Sequence, residues 1–268
     1  MTRLPVSAAV VDYLAPTGED DLALVGGPGG WAGAAALASR RVVGSDGGAI
    51  DVGQLPVGDL DAIIVELRRR SLGDSIVSEA ACVACGSRVD VAFDLASYLQ
   101  HCRPRPSRVA VATSDPQWWA LRSGQLEFRL PRVADVMEAS GSPDPKMRIL
   151  ERCLCGITTP ASVRSAERAM AVLGPTLLSQ VSGLCPECGA PTELSFDARE
   201  FCLQELRSLA SGVIEETHLL AWAYHWSERD ILALASWRRR AYGELVIAGV
   251  RGELALSESR DLRGGRVA

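Results

Sequence analysis

Two short cysteine motifs constrain this 268-residue chain more than any other feature. One is Cys82-Val83-Ala84-Cys85-Gly86 and the other is Cys185-Pro186-Glu187-Cys188-Gly189. Both run on in step. Phe93-Asp94 follows the first and Phe196-Asp197 the second, with an acidic residue three before each Phe (Asp90, Glu193) and an aromatic four after each Asp (Tyr98, Phe201). Cys82 and Cys185, Cys85 and Cys188, and Phe93 and Phe196 are each separated by 103 positions. Two cysteines three apart on a tight turn aim both sulfurs at one ion, and the glycine that follows lets backbone amides turn back towards the thiolates. Two such half-sites predict one closed four-thiolate centre, Zn(II) held by Cys82, Cys85, Cys185 and Cys188, with no open position for a reactive water.

After each motif the pattern switches to period two. Val89, Val91 and Phe93 alternate with polar or small residues, as do Thr192, Leu194 and Phe196, which is the signature of a half-buried strand. Each strand ends at an Asp placed to cap a helix, and Asp197 with Glu200 forms a capping-box pattern. The expected fold class is therefore α+β. Two repeated zinc-knuckle, β-hairpin and helix units are joined by the four-cysteine site, with a helical C-terminal region. Boundaries are expected at 1–57 (a Gly/Ala-rich N-terminal region), 58–145 and 146–212 (the two helix-knuckle-strand units), 213–250 (a C-terminal helical hairpin) and 251–268 (a charged, Gly-rich flexible tail).

Finer expectations follow from periodicity. Val6–Val11 reads as a strand, Trp31–Val42 as a helix and Gly44–Gly58 as a loop. Leu60, Ile63, Ile64 and Leu67 mark a helix from Asp59, closed by Arg68-Arg69-Arg70. Val109–Thr113 and Leu126–Leu130 read as strands. Arg132–Ala139, Asp144–Cys153 and Ala161–Leu173 read as helices. One long helix is expected from Ala198 to Tyr224, then a short one over Glu228–Ala235, then a last one from Ser236 to about Ala248.

Composition narrows the function classes. With a net charge of −5 the chain has no general attraction to nucleic acid or an anionic membrane. The N-terminal segment lacks a secretory pattern, and the long uncharged stretch Leu22–Ser39 is broken by five glycines and a proline. No membrane span is expected. The eight cysteines read as metal ligands or core residues of a reducing compartment rather than disulfides. A thioredoxin-like redox motif needs a helix after Cys-x-x-Cys, whereas strands follow here. Cys102, Cys153, Cys155 and Cys202 fit small core positions better than a second metal site.

Gly27-Pro28-Gly29-Gly30-Trp31-Ala32 matches a loose dinucleotide pattern, but the strand it requires would be confined to Leu22–Val25. The three histidines, His101, His218 and His225, form no pair at catalytic spacing. The basic triplets Arg68–Arg70 and Arg238–Arg240 read as complements to helix dipoles. A helix-turn-helix over Ser227–Val246 is disfavoured by its packing-type residues.

Several runs carry a family resemblance. They are Leu55-Pro56-Val57-Gly58-Asp59-Leu60-Asp61-Ala62, Leu72-Gly73-Asp74 before the first knuckle, Leu150-Glu151-Arg152-Cys153, the second knuckle with Phe196-Asp197, Glu216-Thr217-His218, Ala223-Tyr224-His225-Trp226-Ser227-Glu228 and Arg239-Arg240-Ala241-Tyr242. Together, over about residues 50–247, the chain resembles the T-even-type phage baseplate family, whose members include baseplate-hub assembly proteins and whose relatives occur beside contractile tails and extracellular contractile injection systems. The resemblance implies a non-enzymatic structural or chaperone-like assembly protein. Its partners would be baseplate, hub or spike proteins, and it would act in the bacterial cytoplasm during assembly or within the finished particle. A zinc-ribbon nucleic-acid-binding or regulatory module is the alternative. The chain departs from the family where His225 stands in place of an expected glycine, and in the Gly-rich Val25–Gly33 stretch.

Overall fold

The structure is a computed structural model, and it describes residues 1–124 and 126–250. In chain order β1 (Thr2–Arg3) and β2 (Val10–Tyr13) precede α1 (Gly18–Gly26), α2 (Gly30–Arg41), β3 (Val42–Gly44) and α3 (Val57–Leu72). Next come β4 (Ser75–Ala81), β5 (Arg88–Asp94), α4 (Leu95–His101), β6 (Ala110–Ala112), β7 (Trp118–Leu121) and β8 (Leu126–Arg129). Then follow α5 (Val133–Ala139), α6 (Pro145–Cys153), β9 (Leu154–Gly156), α7 (Pro160–Leu173), β10 (Leu178–Leu184) and β11 (Pro191–Asp197). The C-terminal elements are α8 (Ala198–Ala210), α9 (Val213–Tyr224), α10 (Glu228–Leu232) and α11 (Ser236–Val250). The chain mixes helices and strands, as expected; the tail at 251–268 lies outside the described residues.

Two compact units emerge, one of Met1–Tyr13 with Pro28–Leu206 and the other of Leu14–Gly27 with the chain from Arg207. In the first unit α3 is the central strut. Leu60, Ile63, Ile64 and Leu67 recur at helical spacing and are all buried. Gly73, at φ 81°, stops the helix in a conformation that side chains resist. Three ionic side chains of α3 are also buried: Asp59, Asp61 and Arg68. Asp59 accepts hydrogen bonds from the Val6 and Ser7 amides at 2.8 and 2.9 Å. These bonds hold a turn over Pro5–Ser7, so the strand expected over Val6–Val11 is displaced to β2. Arg68, near the C-terminus of α3, is held in a specific network. It pairs with Glu205 of α8 at 2.7 Å and donates to the carbonyls of Gly73 and Ser75 at 2.5 and 2.9 Å.

An antiparallel sheet of order β6-β7-β8-β9 packs against α7 through Leu121, Leu126, Phe128, Ala166 and Met170. β6 and β8 fall where alternation placed them. β7 and β9 are additional, each too short to show a period; Trp119 stacks on Phe128 with centroids 6.2 Å apart. Two further hairpins stand as separate two-stranded sheets, β4–β5 and β10–β11. Arg129 and Arg152 both clamp the buried Asp135 of α5, at 2.6 and 2.7 Å.

In the second unit, Arg239 of α11 is fully buried and pairs with Asp21 of α1 and Glu216 of α9, both at 2.7 Å. Arg238–Arg240 lie in the first turn of α11, where a cation opposes the helix dipole. The dipole account is therefore wrong for this triplet; the two carboxylates offset the charge instead. The helix expected from Ala198 to Tyr224 is broken between α8 and α9 at Ser211-Gly212, because glycine weakens a helix interior. Leu22–Val25 is helical, within an α1 whose N-terminus carries a Thr17–Asp20 capping box. The strand that a dinucleotide site needs before Gly27 is thus replaced by a helix.

Candidate metal centre

The two knuckles are built alike. β4 pairs with β5 from Ser75↔Asp94 to Ala81↔Arg88, and β10 pairs with β11 from Leu178↔Asp197 to Leu184↔Pro191. At each tip the first cysteine's amide closes the hairpin, Cys82 on the Ser87 carbonyl and Cys185 on the Ala190 carbonyl, both at 2.9 Å. The glycine amide then turns back to the first cysteine's carbonyl, Gly86 to Cys82 at 2.8 Å and Gly189 to Cys185 at 2.9 Å. Both glycines hold positive φ, 72° and 70°, a region that a Cβ penalises. At the base of each hairpin, the Leu95 amide donates to the Asp74 carbonyl and the Ala198 amide to the Leu177 carbonyl, both at 2.9 Å. Asp94 caps α4 through the Ser97 amide at 2.8 Å, and Asp197 accepts from the Glu200 amide at 2.9 Å.

The tips bring the four expected cysteines together. The sulfurs of Cys82, Cys85, Cys185 and Cys188 all lie within 4.8 Å of one another. Two contacts cross between the hairpins, Cys82 to Cys188 and Cys85 to Cys185, each at 3.8 Å. A tetrahedral ion with metal–sulfur bonds of about 2.3 Å separates its ligands by about 3.8 Å, so this cluster has the size of a four-thiolate site. Cys82 and Cys185 are buried while Cys85 and Cys188 are exposed, the same division in both knuckles.

The electrostatics suit anionic sulfur. The Ser87 hydroxyl and amide bond to Cys85 and hold its thiol below the ordinary value. The Ala190 amide acts on Cys188 in the same sense, but the neighbouring Cys85, Cys185 and Cys82 thiols and burial outweigh it and push Cys188 up to about 12. The opposite directions have one cause. Once one thiol of the cluster ionises, a second anion beside it is disfavoured unless a cation joins them. The arrangement could hold a metal ion, and the chemistry it offers is structural: four thiolates fill a tetrahedral shell.

Behind the thiols the hairpins meet through aromatic rings. Phe93 and Phe196 pack edge to face with centroids 4.9 Å apart, Tyr98 lies 5.4 Å from Phe196, and Phe201 lies 5.4 Å from Phe196. The Tyr98 hydroxyl donates to the Leu177 carbonyl at 2.9 Å. Asp61 binds the amide of that same residue at 2.9 Å, so α3 and α4 grip the start of β10 together. The cross-pairing of the sulfurs and the Asp61 grip escaped the sequence reading, although the matched Phe-Asp runs already marked the aromatic cluster.

The other four cysteines lie elsewhere. Cys153 and Cys202 are buried, and burial raises their thiols to about 11 and about 12. Cys155 is exposed on β9 and Cys102 half-buried beyond α4. His101 ends α4, His218 lies within α9 and His225 caps α9. His225 has φ 57° and ψ 28°, the left-handed conformation that glycine adopts most easily. Among the described residues no helix is long and apolar enough to cross a membrane.

No curated protein and no solved structure matches the chain. Residues 41–168, from the end of α2 through α3, the first knuckle and most of α7, match the model of a family described as T4 bacteriophage base plate protein. Over this segment, a little under half of its length, the chain is similar to the T4-type phage baseplate protein family.

Proposed function

We propose that this protein is a non-enzymatic structural or assembly component, chaperone-like in action, of the baseplate and hub of a contractile phage tail or contractile injection system. The baseplate family match over residues 41–168 carries this reading. The partners would be other baseplate, hub or spike proteins, met in the bacterial cytoplasm during assembly. In this reading Cys82, Cys85, Cys185 and Cys188 bind one structural Zn(II), and the knuckle–hairpin–helix units are two copies of one element, at 58–145 and 146–212, stapled by it. Two observations support that finer picture: equivalent hydrogen bonds recur 103 residues apart, and the sulfur contacts cross between the copies.

The test is genetic and biochemical. Deleting the gene should abolish or strongly reduce intact contractile particles, and the purified protein should associate stoichiometrically with a baseplate or hub subunit. Normal particle yield after deletion would overturn the proposal.

A further inference from the structure

Between Asp94 and Glu127 the sequence holds four arginines, Arg103, Arg105, Arg108 and Arg122, against one acid, Asp115. In a chain of net charge −5 this is a local reversal of sign. Backbone hydrogen bonds fix the segment that carries them. The Arg105 amide is tied to the Val172 carbonyl of α7 at 2.7 Å, and the Arg122 amide to the Val109 carbonyl at 2.9 Å, where β6 and β7 begin and end. Pro104 and Pro106 restrict the connecting loop. The one acid is remote, in the turn at the other end of the β6–β7 hairpin, where its carboxylate accepts from the Gln117 amide at 2.9 Å.

All four arginines are exposed. Among the described residues, no acceptor binds the guanidinium of Arg103, Arg108 or Arg122, and Arg105 reaches only the His101 carbonyl at 3.3 Å. Arg3 of β1 is likewise exposed and without an acceptor, and it shares a cleft with Arg103. That cleft has a volume of about 430 Å³ and is lined by Leu4, Val6, Leu99, Pro104 and Leu177. Two other charged residues in its wall are already neutralised, since Arg69 pairs with Glu66 and Asp74.

We propose that this cleft docks an acidic segment of another protein, with one apolar side chain seated among Leu4, Val6 and Leu99 and flanking carboxylates on Arg3 and Arg103. Charge complementarity selects the occupant. An arginine fork binds carboxylate in two parallel hydrogen bonds, and exposed guanidinium groups held on a stiff loop lose little freedom on pairing. A nucleic acid is a poorer fit. The one aromatic ring of the cleft, Tyr13, has Arg70 over its face at 4.4 Å and offers no stacking platform, and the chain as a whole repels a polyanion. The surface is distinct from the thiol cluster, and its test does not depend on the baseplate reading.

The probe is a fluorescent synthetic peptide with aspartates and glutamates around a single leucine, titrated against the whole protein at low salt. Saturable binding below about 1 mM is expected, weakening as salt screens the charges. A peptide with Asn and Gln in place of the acids, and one with Gly in place of the leucine, should each bind at least about tenfold more weakly, or about 1.4 kcal/mol. Arg3→Glu with Arg103→Glu should lower affinity by about tenfold or more, whereas Arg229→Glu, on the exposed α10 and outside the cleft lining, should not. Arg3→Gln with Arg103→Gln serves as a second, milder variant if the first melts early. No saturation by about 1 mM, indifference to charge reversal, or displacement by an oligothymidylate of equal charge that binds more tightly would each overturn the proposal.

Discussion

Phe93 and Phe196, 103 positions apart in sequence, meet edge to face with their ring centroids 4.9 Å apart. The same step of 103 relates Tyr98 to Phe201, Asp94 to Asp197, and each cysteine of one knuckle to its counterpart in the other. The rings and sulfurs therefore form two layers of one interface between hairpins that would otherwise be lone two-stranded sheets, which are marginal by themselves.

The ring layer should be cooperative. Phe93→Ala and Phe196→Ala are each expected to cost about 2–3 kcal/mol, less than for a fully buried ring because both are half-buried. The double-mutant cycle should show about 0.5–1.5 kcal/mol of coupling. Urea melts of the four proteins check this; strict additivity would mean that the rings do not support each other.

The sulfur layer should carry metal. Elemental analysis is expected to find about one zinc per chain, lost on Cys82→Ser or Cys188→Ser, with a drop in stability of several kcal/mol because binding energy at such a site is folding energy. Cys202→Ala, a buried thiol away from the cluster, should keep the zinc. Retention of metal by Cys188→Ser at full stoichiometry would remove that residue from the ligand set.

Two buried carboxylates should make stability depend on pH in opposite senses. Burial lifts Asp61 from 3.8 to about 6, despite the Leu177 amide and Arg199. The folded state then holds the proton more tightly than the unfolded chain. Its contribution is complete below about pH 4 and is lost as pH rises through about 6, a change on the order of 2–3 kcal/mol. Asp61→Asn should flatten the stability profile in that window. Denaturation series at half-unit pH steps would reveal an unchanged slope if Asp61 plays no such part.

Asp135 is the converse case. Burial would raise it, but its hydrogen bonds to Arg129, Arg152 and the Arg132 amide outweigh burial and hold it well below the usual carboxylate range. Its stabilisation is present above the unfolded value near 4 and is lost on acidification below it. Asp135→Asn leaves Arg129 without its partner and is expected to cost about 3–5 kcal/mol at neutral pH, with the loss shrinking in acid. Guanidinium melts at neutral and acidic pH distinguish this from a simple packing defect, whose cost would not vary with pH.

His225 tests the helix terminus. At φ 57° a side chain is strained, and the His225 amide already closes α9 on the Ala221 carbonyl at 3.0 Å. His225→Gly should raise stability by about 0.5–1 kcal/mol without changing the fold. A fall in melting temperature would show that the imidazole makes a contact worth more than the strain.

The local units were legible from the residues alone. The doubled Cys-x-x-Cys-Gly, the alternating strands behind it and the capping aspartates are short-range patterns, and short-range patterns report hydrogen bonding within a few residues. Periodicity likewise marked the buried face of α3. Tertiary structure decided what those elements meet. Arg68 and Arg239 look like surface charges in sequence, yet each is buried against carboxylates far along the chain, Glu205 in one case and Asp21 with Glu216 in the other. The latter contact draws Leu14–Gly27 into the C-terminal unit, from the far end of the chain. Which thiol faces which across the cluster, Cys82 to Cys188 and Cys85 to Cys185, was equally open, because ion pairs and ligand contacts depend on position in space and leave no period along the chain.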